Sequence, residues 1–225
     1  MHIKSFGCSF IWGSELSDCD PTGPYSQVSR LTWPALVAQS LGANYNCYAN
    51  PGSGNLQIAS RVIDHAASAA PEDVFVIGWT WIERFDYMID RPGSRPGWST
   101  ICPVSDSLEA EAFYRHVHSE PWDKLRNLMI MTNVLNLLKN RNIPFVMTLM
   151  DELLLDKQWH VTPAISIMQA EIAPYIQRFD GVDFLTWSKQ QGYPITQVGH
   201  PLEAAHAAAA DLMLPMISDA IQHRA

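Results

Sequence analysis

Three observations on the 225-residue sequence predict an α/β fold with a parallel sheet between two helical layers. Strand-like runs alternate with stretches of helical spacing. The strand-like runs are short and rich in β-branched and aromatic residues, as buried parallel strands are. Each residue type suited to chemistry falls just after one of them, at the end of a parallel sheet where loops converge on ligands.

The strand-like runs are residues 2 to 7, 44 to 48, 73 to 79 (DVFVIGW), 143 to 149 (IPFVMTL) and 182 to 187 (VDFLTW). Between the first two, Thr32 and Pro34 suit a helix start, ALVAQSL follows, and Gly42 suits its end. Asn55 is placed to cap a helix whose face carries Ile58, Val62 and Ala66, with Pro71 just beyond. Ser119 and Pro121 open the longest helix, where Leu125, Leu128, Met129, Thr132 and Leu135 recur at three and four residues as a core-facing stripe. From Pro201 the chain is alanine-rich and helical, and Pro215 is expected to kink or split that helix. Residues 86 to 120, with RPGSRPGWST, are expected to form an irregular insertion, either a lid or binding loop or a solvated excursion. The length suits one domain over residues 1 to 225.

Composition excludes several function classes. With 47% hydrophobic and 17% charged residues, the chain is neither disordered nor provided with a membrane-length apolar run. Fifteen basic against twenty-three acidic residues give a charge of -8, which opposes attraction to phosphate backbones and anionic lipid, so neither nucleic acid nor membrane is expected as a partner. Cys8, Cys19, Cys47 and Cys102 have neither a CxxC pair nor zinc-like spacing, and they are read as reduced thiols. No basic segment followed by an apolar stretch opens the sequence, so a cytoplasmic location is expected. His116 and His118 lack an acidic or cysteine partner nearby in sequence and are read as a solvated pair. No metal or other cofactor is expected.

The chemistry-bearing residues are Ser9 after the first run, Gly52 to Asn55 after the second, Thr80 after the third, Asp151 and Glu152 after the fourth, and His200 beyond the fifth. A serine hydroxyl needs an imidazole to take its proton during attack on a carbonyl, and the tetrahedral oxyanion needs N–H donors. The backbone N–H groups of Ser9 and Gly52 suit that task, and Asn55 and the hydroxyl of Thr80 are candidate third donors. Gly52 and Gly54 also suit a plain turn.

In GCSFIWG, residues 7 to 13, the first, third and seventh positions match the Gly-x-Ser-x-x-x-Gly of the SGNH or GDSL hydrolases, which the chain resembles. NCYANPGSGN is similar to the family's second block, with Gly52 at the oxyanion-hole glycine. GWTW, residues 78 to 81, aligns with Gly-x-Asn-Asp and puts Thr80 and Trp81 in the Asn and Asp places. QVGHP, residues 197 to 201, aligns with Asp-x-x-His-Pro and gives His200 the base and Gln197 the Asp place. The resemblance implies a three-layer α/β/α sandwich with a flavodoxin-like five-stranded parallel sheet of order 2-1-3-4-5. It also implies cleavage of carboxylic esters, O-acetyl groups on carbohydrate included, through an acyl-Ser9 intermediate.

Gln197 carries no charge with which to stabilise an imidazolium. Three arrangements are open. Gln197 or a backbone carbonyl accepts the imidazole's second proton in a Ser-His dyad; Asp151 or Glu152 reaches His200 from a neighbouring strand end; or His206 is the base, with Glu203 three residues before it. Glu83 and Arg84 form a local ion pair or line the pocket.

A catalytically degenerate SGNH-fold module that binds glycan or protein is the alternative, motivated by Gln197 and Thr80. A nucleotide site on PGSGN is a third reading, opposed by the lack of GxGxxG after the first strand and of any Gly-Lys-Ser/Thr.

Overall fold

The computed structural model describes residues 1–19, 27–90 and 97–222. Its parallel sheet has the order β2-β1-β3-β6, from β1 (His2–Phe6), β2 (Asn44–Cys47), β3 (Asp73–Trp79) and β6 (Phe145–Leu149). That is the predicted order for four of the five strands. Register runs Ile3 beside Val74 and Tyr45, and Ile77 beside Met147.

Strand alternation sorts the core into two faces. Ile3, Val74, Val76 and Val146 pack against α2 (Trp33–Ser40), α7 (Phe184–Gln190) and α8 (Glu203–Gln222). Phe75, Ile77, Met147 and Leu149 pack against α3 (Asn55–Ala67), α5 (Glu120–Asn140) and α6 (Pro163–Ile172). Every residue of β3 is buried, as a central strand covered on both sides requires. Thr32 precedes α2 with Pro34 in its first turn, and Gly42 follows its end in the left-handed region at φ 61.

The fifth run is not a strand. Asp183 accepts the N–H groups of Leu185 and Thr186, and this N-cap turns residues 184 to 190 into α7, with Phe184, Trp187 and Ser188 buried. A short apolar run does not separate a strand from one buried helical turn, and the aspartate cap settles it. At the β6 edge stands a single parallel bridge between Met147 and Ile176, extended by the Gln177 N–H on the Met147 carbonyl at 2.7 Å.

Residues 86 to 120, expected to be irregular, are largely regular. β4 (Phe85–Ile89) and β5 (Gly97–Ile101) form an antiparallel hairpin, and α4 (Leu108–His116) follows, capped by Ser107. A small core of Ile101, Ala110 and Phe113, with Phe85, Tyr87 and Tyr114 against it, holds this unit together. The RPGSRP part of the motif, residues 91 to 96, lies outside the described residues. α8 continues through Pro215, so of the expected kink or split the split does not occur. No helix among the described residues is long and apolar enough to cross a membrane.

Candidate active site

The turn after β1 is shaped by its glycines. Residues 9 to 12 form a one-turn helix, α1, which Gly13 ends at φ 83 by donating its N–H to the Ser9 carbonyl at 2.9 Å. A Cβ at Gly13 would also lie 2.4 Å from the Cβ of Ser29, so no other residue fits. Two residues on, Glu15 adopts a left-handed φ of 69, unusual for a side chain of its size. The chain thereby doubles back, and Ser9 and Glu15 serve one target.

That target is His200. The loop before α8 is stapled on itself: Thr196 N–H donates to the His200 carbonyl at 2.9 Å, and His200 N–H to the Thr196 hydroxyl oxygen at 3.1 Å. Gly199, at φ 94, makes the reversal. Nε2 of the imidazole is 2.8 Å from Ser9 Oγ, and Nδ1 is 2.6 Å from Glu15 Oε2. The hydroxyl of Thr196 donates to the same carboxylate oxygen at 2.7 Å. These hydrogen bonds from Thr196 and from His200 hold the Glu15 carboxyl below the usual carboxylate range. Phe10 meets the His200 ring edge to face at 5.1 Å, and Trp81 meets Phe10 at 5.6 Å, forming an aromatic wall beside the imidazole.

Gly52 has a φ of 80, and a Cβ added there would meet open space. Its loop is anchored by the Asn50 N–H on the Gly7 carbonyl at 3.1 Å, directly beside the Ser9 turn. Gly54, not Asn55, is the residue that caps α3. The Asn55 amide instead reads the backbone of Thr80: Oδ1 accepts the Thr80 N–H at 2.8 Å, and Nδ2 donates to the Thr80 carbonyl at 3.0 Å and to Asn127 Oδ1 at 2.8 Å. Both side-chain amide hydrogens are committed, so the Asn55 side chain fixes the end of β3 and has no hydrogen left to donate to a substrate. The Thr80 hydroxyl is buried and has no hydrogen-bond partner among the described residues.

The other residues expected to orient His200, or to replace it as base, are placed differently. Gln197 is exposed on the turn and makes no hydrogen bond to the imidazole. Asp151 accepts the N–H groups of Ile82 and Leu153, each at 3.1 Å, and burial raises its carboxyl above the usual range. Glu152 pairs with Arg178. Glu203 accepts the Ser17 N–H at 2.8 Å. His206 is 2% exposed and accepts the Trp33 N–H on Nδ1 at 3.2 Å, and burial pushes it from the ordinary 6.5 down to about 3. It is a core histidine, and among the described residues no hydrogen bond or ion pair joins it to Glu203. Arg84 stacks over Trp81 at 5.1 Å and donates to the Ser53 carbonyl, and burial raises the Glu83 carboxyl. His118 bonds Asp123 at 2.8 Å rather than standing free beside His116.

Glu15 was not expected in this role. Triad spacing directs attention to the residue three before the histidine, whereas Glu15 is 185 positions away in sequence. The one signal is its place two residues after Gly13, on the segment that already carries Ser9.

Two cavities, of about 640 and 520 Å³, open at the amino-terminal ends of the strands, the first near His2 and Asn44, the second near Pro144 and Tyr175. The Ser9 cluster is at the carboxyl ends, where the loops of a parallel sheet gather.

No family model matches the sequence, and no curated protein is significantly similar to it. Solved structures are similar in fold. A member of the lipolytic protein G-D-S-L family from Veillonella parvula superposes with a TM-score of 0.53 at 12% identity, over 97% of this chain and 98% of that one. The psychrotrophic esterase EstA from Pseudoalteromonas gives 0.55 at 10% identity, over 99% of each chain. A carbohydrate esterase family 2 enzyme with a carbohydrate-binding domain, from Myceliophthora fergusii, gives 0.55 at 18%, over 98% of this chain and 66% of that one. The sheet order, the helices on both faces and these superpositions together give the chain the α/β/α fold of the SGNH, or GDSL, hydrolases.

Proposed function

We propose that the protein is a serine hydrolase of carboxylic esters in which Ser9 is the nucleophile, His200 the base and Glu15 the acid of a triad. The observation that carries this reading is the continuous chain from Ser9 Oγ to His200 Nε2 and from Nδ1 to Glu15, at 2.8 and 2.6 Å. As Ser9 Oγ attacks the ester carbonyl, its proton passes to Nε2, and the imidazolium so formed is stabilised by the Glu15 carboxylate on its far side. The carbonyl oxygen becomes an oxyanion, for which the main-chain N–H groups of Ser9 and Gly52 are the donors. Collapse expels the alcohol, which takes the proton from Nε2. Water then attacks acyl-Ser9 with His200 again as base, releasing the acid.

Short-chain esters, acetyl groups on carbohydrate among them, are the proposed substrates. The fold shared with EstA and with the family 2 carbohydrate esterase supports that class. The binding-module alternative is motivated by Gln197 and Thr80; Glu15 beside His200 supplies an acid in place of Gln197 and so favours the hydrolase reading.

A fluorophosphonate probe is expected to label Ser9, and the purified protein to hydrolyse a short-chain aryl ester. Ser9→Ala should abolish both. Equal turnover by that variant, or an unlabelled wild-type protein without turnover, overturns the reading.

A further inference from the structure

Gly54 caps α3 two residues after Gly52, yet glycine has no side chain to satisfy the first N–H groups of a helix. The cap comes from elsewhere in the chain. Asp86, on β4, accepts the Gly54 N–H with Oδ1 and the Gln57 N–H with Oδ2, both at 2.9 Å. In a capping box these two donors are satisfied by two side chains of the helix itself. Here one carboxylate, 32 positions away, satisfies both.

The carboxylate is itself fixed. Thr100, directly opposite Asp86 in the hairpin, donates its hydroxyl to Oδ1 at 2.5 Å, and Asp86 is 6% exposed. From the other side the fit is tight, since a Cβ at Gly54 would lie 2.6 Å from both carboxylate oxygens. A second tie comes from Arg84, whose guanidinium donates to the Ser53 carbonyl at 2.9 Å. The two residues that follow Gly52 are thus both held by the segment that opens the hairpin.

We propose that Asp86 is a positioning residue for the Gly52 loop, and that the β4–β5 hairpin exists in this chain to aim the Gly52 N–H at the oxyanion. The inference rests on the hydrolase reading given above. Asp86 touches no substrate. It acts through the backbone of Gly54 and Gln57, so its loss misdirects a donor that matters in the transition state and leaves ground-state binding largely intact.

The test is carried out on the full chain with Asp86→Ala, Asp86→Asn, Gly54→Ala and the Ala/Ala double variant. Asp86→Ala is expected to lose about 10- to 100-fold in kcat, below the roughly 10²- to 10³-fold cost of deleting an oxyanion donor outright, with KM within about threefold. Asp86→Asn should fall between it and wild type, because its amide oxygen can still accept one of the two N–H groups. Gly54→Ala should cost about as much as Asp86→Ala alone but little on top of it, since the added methyl group and the carboxylate compete for one space. Amide hydrogen exchange over residues 52 to 57 should accelerate about tenfold or more in Asp86→Ala. A wild-type kcat in an Asp86→Ala protein whose Ser9 still takes the fluorophosphonate probe overturns the inference, as do additive losses in the double variant or unchanged exchange. If wild type itself is unlabelled, the hydrolase reading fails, and the exchange measurement alone decides whether Asp86 fixes the loop. Should Asp86→Ala not fold, Asp86→Asn and Gly54→Ala carry the same comparison.

Discussion

Replacing Glu15 with Gln keeps the shape of the side chain and a carbonyl oxygen to accept the imidazole's Nδ1 proton, and removes only the charge. The Glu15 side chain is 41% exposed and that of His200 17%. With Nδ1 and the nearest oxygen 2.6 Å apart, the centres of the two delocalised charges are about 4 Å apart. Their attraction is about 4 kcal/mol at the effective dielectric of a protein surface and about 1 kcal/mol in bulk water. A partly exposed carboxylate belongs between these limits, at about 2–3 kcal/mol, which corresponds to roughly a 30- to 150-fold loss in kcat. This is well short of the roughly 10⁴-fold loss that follows when the buried aspartate of a serine protease is neutralised. The assay is steady-state hydrolysis of a short-chain aryl ester by wild type, Glu15→Gln and Gln197→Ala, at low and high salt. Gln197→Ala should match wild type, and the penalty in Glu15→Gln should shrink as salt rises. Full activity in Glu15→Gln, or a loss in Gln197→Ala of the same size, refutes the triad and restores a dyad oriented from the turn.

Two further predictions concern stability. His206 is held neutral to about pH 3 in the folded protein but titrates near the ordinary 6.5 when unfolded, so the unfolded state binds the extra proton between those values. Its contribution is therefore fully present above pH 6.5 and lost progressively as pH falls toward 3, with a total on the order of 5 kcal/mol. Urea unfolding of His206→Gln should show a flatter dependence across that window, and a curve parallel to wild type would contradict the assignment. Lys124 is fully buried, and its ammonium group donates to the carbonyls of Asp156 and Trp159 at 2.6 and 2.5 Å, beneath the Trp159 ring. Lys124→Met keeps the stem but removes the Trp159 carbonyl's donor, while the Asp156 carbonyl keeps the Gln169 side-chain amide at 2.9 Å, and should lower unfolding free energy by about 1 kcal/mol after the returned desolvation of the charge is counted. An unchanged urea midpoint would contradict a stabilising role for the Lys124–Trp159 hydrogen bond.

Legibility in the sequence followed the range of the interactions. β3 could be read to the residue because a fully buried run has one periodicity and clear ends, and α2 because Thr32, Pro34 and Gly42 mark it locally. The run at 182 to 187 was misleading because its apolar content is the same for a strand and for one helical turn, and only the reach of Asp183 to two N–H groups separates them. Residues 86 to 120 look irregular because their order depends on Phe85, Ile101 and Phe113 meeting across the hairpin, which no local spacing announces. At the site, Ser9, Gly52 and His200 stand out because each needs a particular residue type next to a turn. Glu15 does not, since its role depends on a left-handed backbone at its own position and on a loop near the other end of the chain. Asn55 was legible as a residue that matters, but both its amide hydrogens go to the protein itself.

Because Ser9 and Glu15 share one short segment closed by Gly13, the imidazole draws both of its partners from the same rigid body. Three-component constellations assembled from three separate strand ends can lose one member while keeping the other pair in register. This arrangement has only two moving parts, the segment at 9 to 15 and the stapled turn at 196 to 200. If that turn lifts, the imidazole leaves the Ser9 hydroxyl and the Glu15 carboxylate together, and the Thr196 tie to Glu15 goes with it.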